Sequence, residues 1–305
     1  MQNDSAIPFR KVRDFGDVLN VTFSFIRQNF ALLIKSLLFL AAPVGALAML
    51  FSSLMQARLL AFDLESLTDP MALFGLEYVA ALFFGLLSVV VAIDVVFSFM
   101  VLYEERGPGG FDFTDVRRMS LQRFLGTLGT VLFLFLLVML PVPLILIPCL
   151  GALAYLVGAV YFGIVFSLVL PMRIRERVGL VEGLQRCTQL VRGYWWPTAG
   201  VLFIAWITYS ILGTLFNTPT MIMLFVSGFH GFGEGGGGPV GLLFTLLSMV
   251  GGLGTTLLYS IPLVATGFQY FSLVERKERT GLMARIDQVA EGGREGREEK
   301  GEGGF

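Results

Sequence analysis

Long runs without a charged side chain alternate along this chain with short stretches crowded with arginine. Residues 36–57 carry no charge, 78–103 carry only Asp94, and 124–172 form 49 residues without Asp, Glu, Lys or Arg. The apolar positions in these runs are continuous, so the period of two that marks a membrane barrel strand is absent. In hydrocarbon every backbone N–H and C=O needs a partner within the protein, and α-helices satisfy that need inside one segment. A crossing takes about 20 residues, so the 49-residue run must fold back on itself. Pro141, Pro143 and Pro148 mark the reversal, because proline inside a helix removes a hydrogen bond and clashes with the preceding turn.

This pattern predicts an all-α fold: a polytopic transmembrane helical bundle of about six spans, with short interfacial amphipathic helices. A single integral membrane domain is expected over 1–290. Its spans are expected near 33–56, 78–103, 121–141, 149–171, 196–216 and 241–273, the last kinked at Pro262. Residues 219–232 form an apolar remainder that lies in the interface or re-enters the membrane. The Gly/Glu/Arg composition of 291–305 cannot build a core and predicts a disordered tail.

Composition strengthens the membrane reading. Apolar residues make up 55% and charged residues 15% of the chain, against roughly 45–50% and about 25% in soluble domains. The net charge of -1 argues against nucleic-acid binding, which needs a basic surface to displace counterions. The polar start and the absence of a small-residue cleavage site predict that the first apolar run is retained as a span.

The distribution of charge sets the orientation. Of 22 Lys and Arg residues, 21 fall in connections on one side, Arg58 being the exception. The positive-inside rule makes that side cytoplasmic. An even number of spans and cytoplasmic N- and C-termini follow, in a prokaryotic inner (plasma) membrane. Phe30, Tyr103, Phe124, Tyr194, Trp195, Trp196 and Tyr270 fall at the same ends, where aromatic rings prefer to sit. Cys149 and Cys187 fall near opposite faces, too far apart for a disulfide or a shared metal.

Three stretches of helical period precede spans one, three and five. They are Phe15, Val18, Leu19, Thr22 and Ile26; Val116, Met119, Ser120 and Phe124; and Leu180, Leu184, Cys187 and Val191. Each carries an apolar stripe and a basic face, the pattern of a helix lying in the interface plane. One reading is a threefold repeat of interfacial helix plus helical hairpin. The other is that any helix entering from the cytoplasm begins with arginine and an aromatic ring.

A more specific pattern spans about 30 residues. It comprises Leu168-Val169-Leu170-Pro171, then Gly183-Leu184-Gln185-Arg186-Cys187, then Arg192-Gly193-Tyr194-Trp195-Trp196. It resembles the signature of the membrane domain found beside glycerophosphodiester phosphodiesterases and of its stand-alone prokaryotic relatives. Here Gly stands for the usual Ala and Cys for the usual Ser of the central motif. Tyr270-Phe271-Ser272-Leu273-Val274-Glu275 is similar to the end of the last span in those relatives. The resemblance implies the six-helix architecture and no assigned chemistry. The phosphodiesterase domain opens with His-Arg-Gly, whereas the one histidine here, His230, is followed by Gly231-Phe232.

Candidate chemistry is sparse. Asp94 lies nine residues from the end of span two, about 13 Å deep at a rise of 1.5 Å per residue. An ionised carboxylate there costs at least about 2.5–3.5 kcal/mol. Lys35 and the hydroxyls of Ser98, Thr127, Thr130 and Thr266 are the partners at similar depth. Asp94 is either a proton or cation site in a transport path or a protonated or Lys35-paired tie between helices. Lys35 alone reads as a snorkelling side chain. Ser248, Gly252, Thr256 and Ser260 form a small-residue ladder suited to helix packing. His230 has no Glu or Cys at ligand spacing, and the glycines at 235–238 lack the Lys-Ser/Thr of a phosphate loop.

No catalytic, cofactor-binding or metal set emerges, so a non-enzymatic protein without a cofactor is expected: a scaffold, accessory or lipid-interacting unit. Its expected partners are the lipid bilayer and another membrane protein. Arg173, Arg175, Arg186 and Arg192 are candidates for contact with headgroups or that partner. The alternative is a proton- or ion-coupled transporter of a small solute using Asp94. A membrane-embedded lipid enzyme has no paired carboxylates or Ser-His set to support it.

Overall fold

The computed structural model describes residues 6–60, 75–147, 150–176, 178–230 and 239–278. All regular structure among them is helical. Five helices are long and apolar enough to cross a membrane, or six if one sharply bent pair counts as a span. The protein is a multi-pass helical bundle.

The bent pair opens the chain. Helix α1 (Phe15–Gln28) buries Val18, Thr22 and Phe25 and is followed, at an angle of 78°, by α2 (Phe30–Leu40). The break falls at Asn29, whose side chain donates to the Phe25 carbonyl at 2.9 Å. At φ -106 and ψ 14 Asn29 leaves helical geometry, and its side chain competes with the backbone for the last carbonyls of α1. Helix α3 (Ala42–Leu60) continues the apolar run past Ala41. It packs closely on two neighbours, α4 (Leu76–Arg106) and α9 (Pro239–Leu258). A Cβ on Gly45 would lie 3.0 Å from Ser88 Oγ and 3.2 Å from Thr256 Oγ1, and one on Gly252 would strike Met49. Part of the small-residue ladder of the last apolar run therefore serves helix approach, as packing in lipid requires.

Helix α5 (Phe113–Met139) is started by a capping box, Asp112 accepting from Asp115 N at 3.0 Å and Asp115 accepting from Asp112 N at 3.3 Å. It reverses through a 3₁₀ turn, Val142–Leu146, into α6 (Leu150–Glu176). Pro141 and Pro143 sit at this reversal; Pro148 and Cys149 lie outside the described residues. Amphipathic α7 (Leu180–Val191) lays Gly183, Cys187, Leu190 and Val191 on the bundle and leaves Glu182, Gln185 and Gln189 exposed. Gly193, at φ 87, turns the chain into the next helix, a left-handed conformation that L side chains resist.

Three expectations change on inspection. The stretch around Val116–Phe124 is not a separate interfacial helix; it is the unbroken first part of α5. Where α1 and α7 end at Asn29 and Arg192-Gly193, the third junction, Gln122-Arg123-Phe124, offers no residue suited to a stop. Helix α8 (Trp195–His230) runs through Pro219, so 219–230 continues the same helix without turning back, and 231–232 lie outside the described residues. The last apolar run breaks at Tyr259, between α9 and α10 (Ser260–Glu278). Pro262 stands in the first turn of α10, where a missing N–H leaves no hydrogen bond unmade.

The core gathers at the arginine-rich end. Residues 6–14 form a strap across that end, with Phe9 buried among Phe25, Tyr103, Phe268 and Phe271 at ring separations of 4.9–5.9 Å. Arg13 N donates to Ser272 Oγ at 3.0 Å, and Arg276 reaches back to the Arg13 carbonyl at 2.7 Å. The first and last described segments therefore meet.

Candidate functional site

Asp94 sits in the half of α4 that is buried on all sides and is itself fully enclosed. Its carboxylate accepts two hydrogen bonds from α5, from Thr127 Oγ1 at 2.8 Å and Ser120 Oγ at 3.1 Å. Bonds to a charged acceptor are the strong kind, and these offset part of its burial. Lys35 takes no part: its ammonium lies 5.6 Å from the Phe113 ring centroid. The expected Asp94–Lys35 pair is absent among the described residues, because Lys35 is on the exposed side of α2. Thr266 donates instead to Pro262 O, and Ser98 Oγ makes no hydrogen bond among the described residues.

Beyond Thr127 a cleft of about 380 Å³ opens between α5 and α6, bordered by Arg123, Gly126, Thr127, Thr130, Leu170 and Arg173. Among the described residues no carboxylate lines it. The two arginines cross it in opposite directions. Arg123 on α5 donates to Ile174 O of α6 at 2.9 Å, while Arg173 on α6 donates to Thr130 of α5 and, through Nε, to Val178 O at 3.2 Å. Thr130 in turn donates to Gly126 O at 2.7 Å.

The other arginines named from sequence have different surroundings. Arg175 forms a two-point pair with Glu104, Nε–Oε2 2.6 Å and Nη2–Oε1 3.1 Å, and Arg10 joins it at 3.4 Å. Arg186 bridges Glu176 at 3.2 Å and Glu278 at 2.6 Å, and Glu176 also accepts from the Tyr270 hydroxyl. These two arginines tie α6 and α7 to α4 and α10. Arg192 is exposed, with no side-chain ion pair among the described residues.

Two groups outside the spans are shifted by burial. The Cys187 thiol, closed in by α6, is pushed up to about 12 by burial and, to a lesser degree, by Glu176. Desolvation pulls the Arg13 guanidinium below its ordinary value, against a smaller opposing effect of Asp17. Among the described residues no three His, Cys, Asp or Glu side chains come together as a metal site.

Ser120 and Arg123 were legible as a pattern only in hindsight. Ser120, Arg123, Thr127 and Thr130 recur at intervals of three and four, one polar stripe on a helix. The stripe is split when Ser120 is assigned to a separate interfacial helix, Arg123 to the junction and the threonines to a span. Comparison with family models, with curated proteins and with solved structures gives no match.

Proposed function

We propose that this chain is a non-enzymatic protein of a prokaryotic inner membrane, a lipid-interacting or accessory unit whose arginine-rich end faces the cytoplasm. The carrying observation is the exposure at that end of Arg117, Arg118 and Arg192 and of the rings of Phe30 and Trp196. Basic side chains near an anionic leaflet contribute about 1 kcal/mol each, and rings at the same level hold the depth. The resemblance of residues 168–196 to the phosphodiesterase-associated membrane domain bears on the multi-pass architecture alone and brings no assigned chemistry.

Extraction with surrounding lipid in polymer nanodiscs tests the reading. Anionic lipid should be enriched over the parent membrane, and replacing Arg117, Arg118 and Arg192 together by Gln should remove that enrichment. Equal enrichment in both proteins would overturn it. The orientation is checked by tags on both termini, which should stay inaccessible to an impermeant reagent in intact cells.

A second reading, a proton-coupled transporter, is favoured by one feature. Thr127 lines the open cleft and also donates to the enclosed Asp94, so a single hydroxyl separates the carboxylate from that space. In proteoliposomes holding a pH-sensitive dye, this reading expects proton flux in the native protein and none in Asp94→Asn. Equal flux in the two would end it.

A further inference from the structure

We propose that the cleft between α5 and α6 binds the phosphate of one anionic lipid molecule, with Arg123 and Arg173 as its cationic jaws. This rests on the lipid-interacting reading and deepens it by naming a stoichiometric site.

The first argument is charge. Among the described residues the lining holds two guanidinium groups and no carboxylate, while the enclosed Asp94 is occupied by Ser120 and Thr127. Guanidinium is the side chain whose planar fork matches phosphate oxygens. The second is preorganisation. Each arginine is held by acceptors on the protein, Arg123 by Ile174 O and Arg173 by Val178 O and Thr130. These bonds fix the direction of the fork, and Arg173 Nη2 keeps its donors without a hydrogen bond among the described residues.

Space is the third argument. The volume of about 380 Å³ falls in the range of small-ligand pockets, roughly 300–1,000 Å³. At Gly126 a Cβ would meet nothing within 4 Å, so a headgroup can approach the α5 backbone. The fourth is what surrounds the cleft. Leu121 and Leu125 on α5 are 63% and 78% exposed, giving acyl chains an apolar surface beside a charged seat. A soluble anion would need no such flank.

Native mass spectrometry of the full chain in detergent provides the test, with short-chain phosphatidylglycerol, short-chain phosphatidylcholine and inorganic phosphate as probes. One saturable phosphatidylglycerol adduct is expected, at least tenfold tighter than phosphatidylcholine and undisturbed by millimolar phosphate. Arg173→Gln should weaken it tenfold or more. Gly126→Leu should do the same by filling the cleft while leaving every charge and the α5–α6 hydrogen bonds in place, so it decides the matter if the arginine variant unfolds. Several results would overturn the proposal: no saturable adduct, an adduct unchanged by Gly126→Leu, or displacement by inorganic phosphate, which would make a soluble phosphate the ligand. Anionic enrichment in nanodiscs that survives Gly126→Leu while the adduct is lost separates this site from the general reading.

Discussion

Helix α10, the second half of the last span, and helix α5, which makes up most of another, live in different surroundings. Fifteen of the nineteen residues of α10 are buried, including Ser260, Thr266, Gln269, Ser272 and Glu275. Only five of the 27 residues of α5 are buried, and three of those are the hydroxyl residues Ser120, Thr127 and Thr130. The helix richer in polar residues is the enclosed one. In water the order would be reversed, but lipid tails are as apolar as leucine and offer no drive to bury it. On α5 the hydroxyl residues Ser120, Thr127 and Thr130 are enclosed, while Leu125, Phe135 and Leu136 stay outside.

The widest contrast expected between these regions is chemical. Cys187 packs under the enclosed side, and its thiol, pushed up to about 12 against an ordinary value of 9.0, is almost wholly protonated at pH 8.5. In a Cys149→Ser background it should react with maleimide about a thousandfold more slowly than a cysteine placed at exposed Arg117. Full labelling should appear on unfolding. Because the folded state favours the protonated thiol, its contribution to stability is complete below the unfolded value and fades as pH climbs from about 9 towards 12. Rapid labelling of the folded protein would show that α7 lifts freely.

Unfolding in mixed detergent micelles, followed by tryptophan fluorescence, should separate Phe268→Ala from Phe135→Ala. The first empties a site among Phe9, Phe25 and Arg13 and should cost about 3 kcal/mol. The second removes a lipid-facing ring and should stay within about 0.5 kcal/mol. Similar costs would remove the distinction between the two helices. Next comes Asp94→Ala, which strands two buried hydroxyls and should cost about 2 kcal/mol, with Asp94→Asn at less than half of that. Last comes Glu104→Gln, which weakens a partly buried pair with Arg175 by about 1 kcal/mol. Added salt should shrink it further.

How far the sequence reveals this molecule depends on which property is asked about. The uncharged runs and Pro141 and Pro143 disclose the helical class and the α5–α6 reversal, because backbone satisfaction in lipid and proline geometry are local constraints. Asp94 stands out for the same reason, as the one acid in its run. Its partners do not. Whether Lys35 or Ser120 meets it depends on the rotation of α2 and α5 about their axes, and tertiary packing decides that. The separate interfacial helix expected before Phe124 is missing because arginine and an aromatic ring mark a membrane boundary without stopping a helix. Gly193 does stop one. The Arg123–Arg173 crossing joins residues 50 apart and leaves no trace in either segment alone.

The strap over the arginine-rich end sets an order on assembly. Arg13 binds Ser272 across a separation of 259 residues, so its seat does not exist until the final helix has been made. At a synthesis rate of about 5–20 residues per second, Phe9 waits tens of seconds for Phe268 and Phe271 to arrive. Seating of the amino-terminal segment is thus a late event in biogenesis. A chain halted before α10 would leave that aromatic chamber roofless, and residues 6–14 open to any protease that surveys unfinished membrane proteins.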